Sequence, residues 1–323
     1  MYSTPILYIV FNRPIETALS FEVLRKIKPA KLYVAADGPR EGNSSDAIRT
    51  KEVRDIIATL DWDCEIRTLY RDKNLGCGQA VQGALDWFFD EVQMGVILED
   101  DIIPNDSFFD YAARMLEQFK DNRKILSING CSLAYENHNY DYGLTRYFNM
   151  WGWATWKRSN ELVKRTWPEY DLKIDFNENS SFLKSLRLPT VLPQMQWINL
   201  WKFIFTNTKE GKIDTWDYQW VYTGLKNQMY CIRPNLNMID NIGFNENSTH
   251  TSKAPHIKFS NMTVHKLKIK GSDLHGKMTV DKVYEIRHVG EYWNNIIINR
   301  EVFVRGVLIS LKSRVKNLLS GKN

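Results

Sequence analysis

Residues 97–111 read ILEDDIIPNDSFFDY, and the step from Ile97-Leu98 into Glu99-Asp100-Asp101 decides how the rest of the chain is understood. Gly95–Leu98 is apolar throughout, as a strand buried on both faces of a parallel sheet has to be. Three acids directly after it are costly unless positive charge is near, because carboxylates this close raise one another's pKa. Strand alternation sends Glu99 and Asp101 to one side and Asp100 to the other, so at most two can face a single ion directly. An isolated acidic triplet reads as a solvated loop capping the helix that starts near Asp106. At the carboxyl end of a central strand in an α/β sheet, the same triplet reads as a ligand site.

The residues before it supply that sheet. Pro5–Phe11, Lys31–Ala36 and Cys64–Tyr70 have strand character. Between them and before Gly95 lie helical patterns over Pro14–Lys26, Asp46–Leu60 and Gly78–Glu91, the last with Ala80, Val81, Ala84, Leu85 and Phe88 on one face. The βαβαβαβ order predicts an α/β fold with a mostly parallel central sheet flanked by helices. Ligands of such sheets bind beyond the carboxyl ends of the strands. Those ends carry Asn12 and Arg13, Asp37 and Gly38, Arg71 to Gly76, and Glu99 to Asp101.

Downstream, a helix is expected from Asp106 or Ser107 to about Lys120 and a strand over Lys124–Ile128. Further helices are expected over 157–166, 179–186, 194–206 and 216–226. The aromatic segment Tyr147–Trp156 places Trp151 and Trp153 on one strand face, while Trp216 and Trp220 are one helical turn apart. Residues 252–300 show no clear periodicity.

Composition narrows the class. The chain has 323 residues, 43% hydrophobic and 25% charged, with 13% aromatic residues that serve equally as core or as flat surfaces for a sugar. Cys64, Cys77, Cys131 and Cys231 form no C-x-x-C pair, which argues against a zinc site. The first eleven residues are too short and lack the basic start of a signal peptide. No run reaches the roughly twenty apolar residues of a membrane span. A cytoplasmic protein with reduced thiols is expected. The net charge of +5 lies entirely within residues 300–323, so the basic surface of a nucleic-acid-binding domain is missing and no nucleic acid is expected as partner. On a helical wheel that tail sets Val304, Leu308, Leu311, Val315, Leu318 and Leu319 in one stripe beside Arg305, Lys312 and Lys316. Such a helix either lies peripherally on the anionic inner face of the cell membrane or packs on its own domain.

Five blocks in order carry a family resemblance: LYIVFNRP, VAADGPR, RDKNLGCGQAV, WGWATWKRSNELVKRTWP, and TWDYQW followed by YCIRPNLNMIDNIGF and STHT. With the acidic stretch they resemble the GT-A-fold (Rossmann-like) nucleotide-diphospho-sugar transferases. The Golgi α-mannoside N-acetylglucosaminyltransferases are similar, and bacterial glycosyltransferase-like proteins with a WGWATW segment look closer still. The resemblance spans about residues 4–255. It implies a catalytic domain over 1–255, a small C-terminal subdomain or extension over 256–299, and the basic helix over 300–323. It implies a UDP-sugar donor and a saccharide or lipid-linked saccharide acceptor, as in bacterial surface-polysaccharide assembly, with Mn²⁺ or Mg²⁺ as cofactor.

The resemblance also implies roles. Arg13, Asp37 and Arg71 line the nucleotide pocket, Asp100 contacts ribose or donor sugar, and Glu99 bonds a donor-sugar hydroxyl. Asp101 binds the metal, and His250 completes the metal shell or contacts phosphate. Asp217 is the general base of an inverting transfer. Without the resemblance Arg13 is only a cation after a strand, Asp37 a turn residue and His250 a lone loop histidine. Asp217 is open to reading as a helix N-cap, with Asp214 one turn earlier. Trp153 and Trp216 are candidates for stacking on the acceptor sugar, or are core. Two rival classes remain. A sugar-phosphate nucleotidylyltransferase would carry a Gly-rich basic loop after the first strand, where this chain has Phe11-Asn12-Arg13-Pro14. A non-catalytic carbohydrate-binding or toxin-like surface protein would bind neither nucleotide nor metal.

Overall fold

The computed structural model describes residues 1–133, 140–187, 194–243, 263–265, 274 and 276–289. The first hundred residues form β1 (Ile6–Val10), α1 (Pro14–Ile27), β2 (Lys31–Ala36), α2 (Ser44–Ala58), β3 (Glu65–Tyr70), α3 (Cys77–Glu91) and β4 (Met94–Glu99). The alternation expected from the sequence is therefore present, with ends displaced by a residue or two. Pro14 opens α1, where its missing N–H costs nothing. The Asn43 side chain caps α2 by accepting the Asp46 N–H.

The second half adds β5 (Ile102–Pro104), α4 (Asp106–Gln118), β6 (Ile125–Asn129), β7 (Tyr142–Thr145), β8 (Trp153–Trp156), α5 (Lys157–Thr166), α6 (Leu172–Asp175) and α7 (Ser181–Leu186). After these come α8 (Gln194–Lys209), α9 (Asp217–Lys226), β9 (Tyr230–Pro234), β10 (Ile239–Asn241) and β11 (Gly276–Val280). Among the described residues, one nine-stranded sheet runs β11-β7-β9-β6-β8-β4-β1-β2-β3, and β10 pairs with β5 in a small second sheet. Strands β3, β2, β1 and β4 are mutually parallel. Strand β8 is inserted antiparallel between β4 and β6. Periodicity could not show this, because an antiparallel insert four residues long is buried on both faces like its neighbours. The fold is thus α/β, a mostly parallel central sheet flanked by helices.

Each sheet face has its own core. Val96 and Leu98 of β4 face Phe21, Phe109 and Met115 of α1 and α4, while Ile97 faces Phe88 of α3 and Trp220 of α9. Aromatic residues dominate the second face, where Trp153 packs edge-on to Phe148 and Trp220 at 4.8 Å and stacks on Trp216 at 5.6 Å. The expectation that Trp151 and Trp153 share a face is corrected. Gly152, at φ +57°, turns the chain between them, so Trp153 enters the α3/α9 core and Trp151 packs on the opposite one.

Within the 256–299 stretch, β11 pairs parallel with β7 and so extends the main sheet. Residues 282–289 are helical. That helix is docked by Glu285, which accepts from the Arg146 guanidinium at 2.6 Å, and by Tyr284 stacked under the buried Arg233 guanidinium at 3.8 Å. No helix among the described residues is long and apolar enough to cross a membrane. The 300–323 tail and His250 lie outside the described residues.

Candidate functional site

A cleft of about 270 Å³ opens at the carboxyl ends of β1, β2, β3 and β4, and Arg13, Asp37, Arg71, Glu99 and Asp100 all line it. Five side chains expected at the nucleotide thus come from four separate strand ends into one wall. The same cleft is lined by Arg40, Asn74, Cys77 and Asp214.

The acidic triplet is arranged differently from simple alternation. Strand β4 ends at Glu99, on the α3 side with Ile97, and the chain then turns. Asp100 and Asp101 consequently both reach Arg13, whose Nη1 donates to Asp101 Oδ2 at 2.5 Å and to Asp100 Oδ1 at 3.4 Å. The expected pairing of Glu99 with Asp101 on one side is corrected, because alternation holds only while the strand lasts. Asp100 is fixed further: its Oδ2 accepts the Phe11 N–H at 3.3 Å, and its carbonyl accepts the Ser20 hydroxyl at 2.8 Å. Burial, then repulsion from Asp101 and Asp100, raises the Glu99 carboxyl well above the ordinary value. Burial also raises Asp100, opposed by Arg13. Among the described residues, the Arg13 guanidinium is the cation that meets both Asp100 and Asp101.

Asp101 is enclosed from the far side. Its carbonyl accepts the Ile242 N–H at 2.9 Å, and a Cβ added at Gly243 would stand 2.0 Å from its Oδ2. The chain passes out of the described residues here, a few positions before His250.

Asp37 anchors the loop after β3. Its Oδ2 accepts Asn74 Nδ2 at 2.8 Å and the Leu75 N–H at 3.0 Å. Burial raises its carboxyl, with the Leu75 and Gly38 N–H groups and Arg71 opposing. Arg71 is half-buried beside it, and that burial lowers its guanidinium against the pull of Asp37. Arg40 was missed in the sequence because it sits in a polar loop without periodicity. Its Nε donates to Asp46 Oδ2 at 2.5 Å, and Asn12 Nδ2 donates to Asp46 Oδ1 at 2.7 Å.

Asp46 is buried, and Arg40 is the largest cause lowering its carboxyl to about 2. A carboxylate depressed on folding contributes stability above its unfolded pKa and loses it as pH falls through the folded one. Unfolding followed against pH should therefore show a loss on the order of 1–2 kcal/mol between about pH 4 and pH 2, discounted for the half-exposed arginine, that Asp46→Asn removes. A variant whose acid limb matched wild type would exclude this pair as the source.

Asp217 is the first residue of α9 and is buried. The N-cap position belongs to Trp216, so the capping reading of Asp217 is corrected. Its carboxylate accepts the Thr215 hydroxyl and lies within electrostatic reach of Glu99 and Cys77. Trp153 and Trp216 are 0% and 3% exposed. Their role in stacking on a sugar is corrected: their faces are spent on Phe148, Trp220 and each other.

Oxygen-only donors and net negative charge are the chemistry a hard divalent cation takes. Among the described residues no three His, Cys, Asp or Glu side chains form a ready ligand cluster. Asp101, expected to bind the metal, has its Oδ2 on the Arg13 guanidinium.

No protein-family model matches the chain. No curated protein matches it either. Similar solved structures include HddC from Yersinia pseudotuberculosis, at 11% identity and TM-score 0.32 over 55% of this chain and 86% of that one. HddC complexed with GMP-PN gives 12% and 0.29 over 49% and 78%. Mouse xyloside xylosyltransferase 1 in its apo form gives 8% and 0.31 over 70% and 82%. At such scores these likenesses carry no argument about function.

Proposed function

We propose that the chain is a glycosyltransferase that moves a sugar from a nucleoside diphosphate, of the UDP-sugar class, to a saccharide or lipid-linked saccharide hydroxyl. The observation that carries this reading is the convergence of Arg13, Asp37, Arg71, Glu99 and Asp100 on one strand-end cleft, with the Asp217 carboxylate within electrostatic reach of Glu99. The ordered sequence blocks support it, because they assign the same residues to the same pocket.

In this reading Asp37 and the loop it anchors shape the nucleoside end, and Arg71 and Arg40 supply positive charge along the cleft. Glu99 and Asp100 receive sugar and ribose hydroxyls. Asp217 accepts the acceptor's proton as its oxygen attacks the anomeric carbon, and the electron pair of the breaking C–O bond leaves with the diphosphate. The stereochemical outcome is inversion. Mn²⁺ or Mg²⁺ would be held by Asp101, with His250 as a further candidate, and would neutralise the departing diphosphate.

The test is a nucleotide-release screen over common sugar nucleotides with Mn²⁺, run on wild type and on Asp101→Ala. Release of UDP from one donor is expected, together with loss of most of that activity in the variant. Release of pyrophosphate from a nucleoside triphosphate instead would point to nucleotidyl transfer. Full activity in Asp101→Ala would remove the metal assignment.

A further inference from the structure

Helix α3 starts on Gly76, which has no side chain to accept the free N–H groups of the first turn. The acceptor comes from much later in the chain. Asp214 Oδ2 takes the Cys77 N–H and its Oδ1 takes the Gly78 N–H, both at 2.9 Å. A carboxylate there also meets the positive end of the helix dipole. The local sequence fits this approach and little else. A Cβ at position 76 would lie 2.6 Å from Asp214 Oδ2, and one at 78 would lie 2.8 Å from Oδ1 and 2.9 Å from the Thr215 carbonyl. Gly76 further sits at φ +80°, a conformation other residues avoid.

The residues that follow Asp214 lead directly to Asp217. Thr215 donates to the Asp217 carboxylate, and its carbonyl accepts Gln219 Nε2 at 2.9 Å. Trp216 is locked into the aromatic core by stacking on Trp153. This turn is therefore held by Trp216 on the core side and by Asp214 on the cleft side.

We propose that Asp214 is a positioning residue for the transfer, pinning the 214–217 turn to the start of α3 so that the Asp217 carboxylate at the start of α9 is fixed. The inference rests on the functional reading above. Asp214 is not itself the base: both its oxygens already accept backbone N–H groups, and its place at the helix start serves holding rather than proton transfer. The α3 N-terminus is correspondingly filled by this carboxylate and is not offered to a ligand.

The experiment compares full-length wild type, Asp214→Ala and Asp214→Asn. Misplacing a reacting group by about 1 Å can cost on the order of 100-fold, so Asp214→Ala should lose about 10- to 100-fold in kcat for nucleotide release. Its KM for the donor and its affinity for UDP should stay near wild type. Asp214→Asn keeps one acceptor oxygen but sets its NH2 against the other backbone N–H, so its rate should fall between those of wild type and Asp214→Ala. Amide hydrogen exchange in 214–219 should speed up in Asp214→Ala, with exchange in β1 and β4 unchanged. Equal losses of kcat and UDP affinity would make Asp214 a ligand contact and overturn the proposal. So would unchanged kcat with a lowered melting temperature, which is a purely structural role. Unchanged exchange in 214–219 would overturn the pinning itself. A wild-type chain with neither UDP binding nor release would sink the functional reading and the catalytic half of this inference, while the exchange result still decides the other half.

Discussion

Asp217→Asn should lose about 100- to 10,000-fold in turnover, the range a positioned general base contributes, with UDP affinity near wild type. The expectation follows from where Asp217 sits. It opens α9 within electrostatic reach of Glu99, buried, with its carboxylate held by the Thr215 hydroxyl. Asparagine preserves size and one acceptor oxygen for the Thr215 hydroxyl while removing the charge and the ability to take a proton, so binding and catalysis should separate. Steady-state release assays with calorimetric UDP binding read the two quantities independently. If turnover survives, the base is another group. If UDP affinity falls in parallel, Asp217 belongs to the donor pocket.

Trp153→Ala should be the most damaging change to stability, costing about 3–5 kcal/mol, the range for removing a fully buried large aromatic. Trp153 is 0% exposed and packs on Phe148, Trp216 and Trp220 at the meeting of β8, α9 and the central sheet. Its pairing opposite Ile97 places the cavity two residues along β4 from Glu99, and the loss of Trp216's stacking partner reaches the turn carrying Asp217. Its indole N–H has no hydrogen-bond partner, so Trp153→Phe should cost distinctly less. Urea unfolding measures both. Equal costs for the two substitutions would contradict a packing origin.

The part of the molecule legible in the sequence is the part where local pattern and global fold agree. Strands β1 to β4 and helices α1 to α3 announce themselves because a fully buried parallel strand is apolar throughout and its covering helix has an apolar stripe. Once these are placed, Arg13, Asp37, Arg71 and Glu99 fall at strand ends without further information. The aromatic segment was harder. Gly152 reverses the face on which Trp151 would lie, and whether a tryptophan meets a sugar or another tryptophan depends on helix α9, far away in sequence. Asp214 carries no local signal for its role either. It acts on the start of α3, so only the folded chain shows the contact. The triplet occupies the middle ground: its position was readable, whereas the shared grip of Arg13 on Asp100 and Asp101 depends on where β4 stops.

The central claim is that this strand-end cleft binds a nucleoside diphosphate together with a divalent cation. Calorimetric titration of the full-length chain with UDP, with and without Mn²⁺, tests it most directly. Saturable binding that strengthens with Mn²⁺, and that weakens in Arg71→Ala, is the predicted result. Absence of UDP binding under both conditions would contradict it.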